Sequence, residues 1–242
     1  IAVWNGGGPE RLDPEALVGK IASLVNCGQP PLAPVAVSLL ADISRRILAD
    51  PISRQFPQFV ALAYWLRKAS LERLAERLSK QDRPAQLRSA RGVALHLPPT
   101  NVDTIFVYSW AISVLAGNSN IVRMPDAIGE TTRWLLALVC SVVSEHGEAD
   151  RQIFCNYPYN SALEHEISAL CDLRLVWGGD AKVTTVSRVP IRPDGLSIGF
   201  ADRQSIAVIG ATAYRQSDEA TKSAIADQFF NDLYWFDQMG CG

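Results

Sequence analysis

The run from Arg91 to Pro125 limits the fold more than any other stretch. Arg91-Gly-Val-Ala-Leu-His-Leu97 is a short apolar strand, and Pro98-Pro-Thr-Asn101 is a tight polar loop. Val102 to Ala116 is helical in period and length, and Gly117-Asn118 stops that helix. Ser119-Asn-Ile-Val-Arg123 then starts a second strand before Met124-Pro125. Strand, helix and strand in one continuous run make a βαβ crossover. That unit builds parallel sheets and presents ligands at the carboxyl ends of strands.

The alternation continues. Helix 128–146, strand 152–155, helix 161–170 and strand 173–177 follow, the last ending in Gly178-Gly179-Asp180. A short helix at 181–187, strands at 196–200 and 205–209, and a long helix at 217–232 complete the pattern. Strands interleaved with helices predict an α/β fold, a doubly wound parallel sheet with helices on both faces. Residues 1–90 read differently, as a helical N-terminal segment. Pro14 to Asn26, Pro34 to Ala49 and Gln58 to Leu78 each place apolar residues on one helix face. The Glu72-Arg73 and Glu76-Arg77 pairs read as a solvated face rather than a binding patch. Gln81-Asp-Arg-Pro84 reads as the linker into an α/β domain over residues 91–242.

At 242 residues the chain can bury a sizeable core. Its net charge of -2 gives no bulk attraction to nucleic acid or an anionic membrane. The richest apolar run, Trp134 to Val143, is too short and interrupted to span a bilayer. Five scattered cysteines without a CxxC pair, and three histidines, do not form a zinc pattern. They fit a reduced, cytoplasmic protein. Cys27, Cys140, Cys155 and Cys171 read as small structural hydrophobes. His96, on a strand that should be buried, reads as a satisfied core histidine.

Several positions offer chemistry, each with a plain structural alternative. Gly178-Gly179 at a strand end admits close approach by a phosphate, with a helix N-terminus behind it. The alternative is an ordinary strand-to-helix turn capped by Asp180. The Asn101 amide can donate to a developing oxyanion, or it can form an Asx turn at the following helix. Arg123 can reach a ribose or phosphate, or can form a surface ion pair. Cys241, on a glycine-flanked stretch, can attack a carbonyl as a thiolate, or can be an incidental thiol.

Taken in order, these elements resemble the aldehyde dehydrogenase superfamily. The residues that carry the resemblance are Pro99-Thr100-Asn101, Leu115-Ala-Gly-Asn118 and Arg123-Met-Pro125. Within the superfamily, Gly117 to Pro125, Val176-Trp-Gly-Gly179 and Phe236-Asp-Gln-Met-Gly-Cys241 look most like the long-chain acyl-CoA reductases of the bacterial luminescence type. The resemblance covers about residues 90–241 and implies a Rossmann-like domain. It implies Cys241 as the nucleophile that takes an acyl group from a thioester, and Asn101 as part of the oxyanion hole. It implies Arg123, Gly178, Gly179, Pro99 and Thr100 around the cofactor, NADPH or NADH, with acyl-CoA as substrate. Partner subunits of a fatty-acid reductase complex, or an oligomer, come with it.

Two departures sharpen the expectation. Leu196-Ser-Ile-Gly-Phe-Ala-Asp202 stands where hydrolytic members carry a water-activating Glu. Its lack of Glu fits thioester chemistry, which uses no water in acyl transfer. The superfamily fold also continues well beyond its cysteine, so the chain is expected to be the cofactor-binding half of a reductase. Two competing expectations are a non-catalytic nucleotide-binding or scaffold module, and a CoA-acylating dehydrogenase for short acyl groups.

Overall fold

The computed structural model describes residues 1–80, 87–99, 101–159, 161–203 and 206–234. The Gln81–Pro84 linker lies outside them. Ala2–Asn5 (β1) and Gly8–Arg11 (β2) form an antiparallel hairpin through the two-residue loop Gly6-Gly7. The Asn5 side chain accepts the Gly7 N–H at 2.9 Å. Pro9 lies on the outer strand, where a missing N–H is tolerated. The sequence expectation for this region contains helices only; a glycine-rich turn between two four-residue strands gives little periodicity to read.

Helices Pro14–Ala22 (α1) and Pro34–Ala49 (α2) follow. The helix expected at 58–78 is two, Pro57–Trp65 (α3) and Lys68–Ser79 (α4). The break has a local cause. The Ser70 hydroxyl donates to the Tyr64 carbonyl at 3.0 Å, and Arg67 is extended at the start of α4.

The α/β part begins with Val93–Leu97 (β3), Ile105–Leu115 (α5), Ser119–Arg123 (β4) and Glu130–Glu145 (α6). It continues through Gln152–Asn156 (β5), Ala162–Ala169 (α7), Leu173–Trp177 (β6), Asp180–Ser187 (α8) and Leu196–Phe200 (β7). Ala211–Gln216 (α9) and Glu219–Tyr234 (α10) come last. The single helix expected at 217–232 is thus preceded by a separate short one. The Asp218 carboxylate accepts the Thr221 N–H at 2.8 Å and starts α10 afresh. The strand expected at 205–209 is not formed at Ile206–Ile209, and Ser205 lies outside the described residues. Among the described residues that apolar run makes no ladder with β7, which remains the edge strand.

The seven strands form one sheet in the order β2-β1-β5-β4-β3-β6-β7. β5, β4, β3, β6 and β7 are parallel, and β1 adds to β5 antiparallel. The sheet is therefore mixed, a parallel doubly wound core extended by a hairpin. β3 is buried along its whole length, as a central strand covered on both faces must be. One face packs α2, α3, α5 and α6 against Val122 and Phe154. The other packs α1, α7 and α8 against Leu95, Ile121, Ile153 and Val176.

Gly117-Asn118 has a structural task at the amino-terminal edge of the sheet. Gly117 is at φ +85, and a Cβ there would lie 2.0 Å from the Gln29 carbonyl oxygen. The Asn118 side chain accepts the N–H groups of Arg91 and Gly92 at 2.8 and 3.1 Å, which fixes the start of β3.

Candidate active-site crevice

From β3 the chain crosses to β4 on one side, while β6 lies on the other. This reversal opens a crevice beyond the carboxyl ends of β3 and β6, the usual ligand position in such sheets. Asn101, Pro99, Arg123, Gly178 and Gly179 all stand at this edge. Thr100 and Cys241 lie outside the described residues.

The loop after β3 is held from two sides. Lys182, in the first turn of α8, donates from Nζ to the carbonyls of Pro98 at 3.1 Å and Leu97 at 3.4 Å. From the other side, Asp103 accepts hydrogen bonds from the Thr131 and Thr132 hydroxyls on α6, the former at 2.8 Å. Pro99 is half-buried between these anchors and Asn101 is exposed. A loop tied at both ends can hold an amide donor in place.

The β6 end is built around its two glycines. Gly178 is at φ +146, and a Cβ there would lie 2.8 Å from Lys182 Cδ. The absent side chain thus seats Lys182. Gly179 caps α8, and the Asp202 carboxylate accepts the Asp180 N–H at 3.3 Å. Asp202 donates its own N–H to the Asp180 carboxylate at 3.2 Å. The N-terminus of α8, where sequence reasoning puts a pyrophosphate, carries this carboxylate. A phosphate at that spot has to displace Asp202.

Trp177 and Phe200, in register on β6 and β7, stack with centroids 3.8 Å apart and planes 8° apart. Trp177 Nε1 donates to Ser109 Oγ at 3.1 Å, which faces His96 Nδ1 at 2.8 Å. His96 Nε2 meets Asn120 Oδ1 at 3.0 Å, and the Asn120 amide donates to Gln152 Oε1 at 2.9 Å. Since Asn120 Oδ1 only accepts, His96 carries its proton on Nε2, and Nδ1 accepts from Ser109. Burial pushes the His96 pKa down to about 4, so the ring is neutral. It is a satisfied core histidine that braces the crevice from below.

Arg123 closes the β4 side. Its Nε donates to the Tyr157 carbonyl at 3.1 Å, and its guanidinium lies 5.4 and 5.6 Å from the Tyr157 and Tyr159 ring centres. Asp126 approaches at 3.5 Å but is largely solvent-exposed. The buried Glu164, at the start of α7, is felt electrostatically by Tyr157, Tyr159 and Lys182.

Lys182 is the site residue that sequence reasoning missed. The available signal was a lone lysine in the first turn of the helix after Gly178-Gly179. Four other cysteines are poor nucleophile candidates or distant from this edge. Burial pushes the thiols of Cys140 and Cys155 up to about 12 and raises that of Cys171 further. Cys27 lies near the amino-terminal edge, and Arg151, which holds its carbonyl at 2.7 Å, also binds that of Gly117.

Residues 61–242 match the family model described as acyl-CoA reductase (LuxC). Among curated proteins none matches in sequence. Three solved structures share the fold. Proline utilization A (PutA) superposes with TM-score 0.57 at 15% identity over 79% of this chain and 22% of its own. An NAD-dependent benzaldehyde dehydrogenase from Corynebacterium glutamicum gives 0.55 at 12% identity, over 80% of this chain and 47% of its own. An aldehyde dehydrogenase from Brucella melitensis gives 0.51 at 15% identity, over 77% and 44%. The chain therefore spans less than half the length of these relatives. Among the described residues, no helix is long and apolar enough to cross a membrane.

Proposed function

The chain belongs to the acyl-CoA reductase (LuxC) family, and on that premise we propose that it reduces a fatty acyl-CoA thioester to an aldehyde through an acyl group carried on Cys241. In this reading the Cys241 thiolate attacks the thioester carbonyl, and the carbon–sulfur bond to coenzyme A breaks. Coenzyme A leaves as its thiol once protonated. The nicotinamide cofactor supplies a hydride when bound. Addition of that hydride to the acyl-cysteine carbonyl gives an oxyanion, whose collapse releases the aldehyde and restores the thiolate.

The chain's own residues have distinct tasks. Asn101 donates its amide to the oxyanion from a loop anchored at both ends, so little reorganisation is needed as charge develops. Arg123 holds the ribose or its phosphate. Its planar, permanently charged fork suits a 2′-phosphate and favours NADPH over NADH. Gly178, Gly179 and Pro99 line the approach to the cofactor, and the family resemblance assigns Thr100 to the same task. The observation that carries this reading is the convergence of the Asn101 loop, Arg123 and the Gly178-Gly179 turn at one sheet edge. A half-buried lysine beside an arginine there fits a phosphate-bearing ligand. The protein acts in the cytoplasm, with partner subunits or as an oligomer.

The test is acylation of the intact protein with a labelled long-chain acyl-CoA, mapped by peptide mass spectrometry. Label on Cys241 that NADPH discharges, and that Cys241→Ala abolishes, is the expected result. Nucleotide binding without label at Cys241 would replace this reading with a non-catalytic nucleotide-binding module. The Asp202 carboxylate on the start of α8 is the observation that favours that second reading. Labelling only by short acyl groups would identify a short-chain CoA-acylating enzyme. Asn101→Ala should slow the reduction by about 10²- to 10³-fold while Cys241 still acquires label.

A further inference from the structure

We propose that Lys182 is a phosphate-binding residue of the crevice, gripping a phosphate of the bound nucleotide with an ammonium donor that no described residue takes. The inference rests on the nucleotide-dependent reading above and adds a residue to it. Lys182 is half-buried, and its ammonium has three donors, of which the Pro98 and Leu97 carbonyls take two. Among the described residues it makes no ion pair. The charge that acts on it most strongly is another cation, Arg123, and the opposing influence of Glu164 is weaker. Burial and Arg123 together push its pKa down to about 8.

A cation removed from water without a close anion is unfavourable, and more so beside a second cation. The structure nevertheless makes room for it, since Gly178 lacks the Cβ that would crowd its side chain. A ligand phosphate would supply Lys182 with the close anion it lacks among the described residues. Two carbonyl contacts hold the ammonium at the carboxyl edge of β3, where the β3–β6 reversal opens. The site is distinct from the N-terminus of α8, which the Asp202 carboxylate covers. A dinucleotide and coenzyme A both carry such phosphates, so binding has to separate the two sources.

The experiment measures dissociation constants of the intact protein for NADPH, NADH and coenzyme A by calorimetry at two salt concentrations. Lys182→Gln and Lys182→Arg are compared with the parent. The expected result is about tenfold weaker binding and a shallower salt dependence for Lys182→Gln, with Lys182→Arg close to the parent. Weakening of the dinucleotides alone assigns the phosphate to the cofactor, and weakening of coenzyme A alone assigns it to the substrate. A parent that binds these ligands and a Lys182→Gln variant that binds them equally well would overturn the proposal and leave the cofactor reading intact. A second measurement needs no variant. Lys182 is labelled with trinitrobenzenesulfonate in the parent protein, with and without inorganic pyrophosphate. Protection supports a phosphate site even if no nucleotide binds, an outcome that would instead defeat the cofactor reading. Unchanged labelling overturns the proposal.

Discussion

At His96 a side chain able to titrate near neutrality is held neutral by burial, which outweighs the opposing hydrogen bond to Asn120. Its folded pKa, about 4, lies below the ordinary histidine value of 6.5. The unfolded chain therefore binds the proton first as pH falls. Stability should decline from about pH 6.5 down to about pH 4, by on the order of 3 kcal/mol. Denaturant unfolding across that range checks it. His96→Phe should be less stable at pH 8, because Ser109 and Asn120 lose partners, yet should show a flatter response between pH 6.5 and 4. Two glycines give a matched pair of opposite sign. Gly117→Ala should destabilise by more than about 2 kcal/mol, since it strains a positive φ and meets a backbone oxygen. Gly19→Ala, exposed inside α1 with nothing within 4 Å of the new Cβ, should stabilise by roughly 0.5–1 kcal/mol. Thermal denaturation of both variants tests the contrast.

At the scale of elements, α2 and α6 are joined by a charged cluster. Arg46 bridges Asp42 within α2 and Glu145 at the end of α6, and His146 Nε2 lies 3.3 Å from Asp42. Arg46, with help from the Ser141 hydroxyl, holds the Glu145 carboxyl down to about 2. Burial pulls the Asp42 carboxyl up, but hydrogen bonds from Arg46 and His146 outweigh it and leave it below its usual value. Both shifts are depressions, so their stabilisation is present above the ordinary carboxylate range. It is lost as pH falls toward about 2. Arg46→Gln should lower the urea midpoint at pH 7, and the deficit should shrink as pH approaches 2 and as salt is added. A deficit independent of pH and salt would mean that packing of the arginine stem, not charge, joins the helices.

Across the whole molecule burial is uneven. The central strands β3 and β4 are almost fully buried, while α9 and α10 bury none of their side chains. Amide exchange should therefore be slowest in β3 and β4 and fastest over residues 206–234, as mass spectrometry of pulse-labelled protein can check. Legibility from sequence follows the same division. The spans of β4, β6 and β7 match their sequence expectation at both ends, because each is a five-residue run with a clear stop after it. The hairpin of β1 and β2 was illegible, since its place on β5 depends on a partner about 150 residues away. The break between α3 and α4 rests on one serine hydroxyl that helical periodicity does not register.

The candidate site divides likewise. Local pattern alone determined that Arg123 ends a strand and that Asn101, Gly178 and Gly179 follow strand ends, because a strand's length and its stop are written in adjacent residues. Only tertiary structure decided that β3 and β6 lie side by side, that Gly178 makes room for Lys182, and that Asp202 reaches the start of α8. The strand pairing and the Asp202 contact join residues 79 and 22 positions apart, and the place of Lys182 is fixed by its reach to Leu97, 85 positions away. They depend on strand order and side-chain reach, which the packing of the two sheet faces sets and short-range periodicity does not encode.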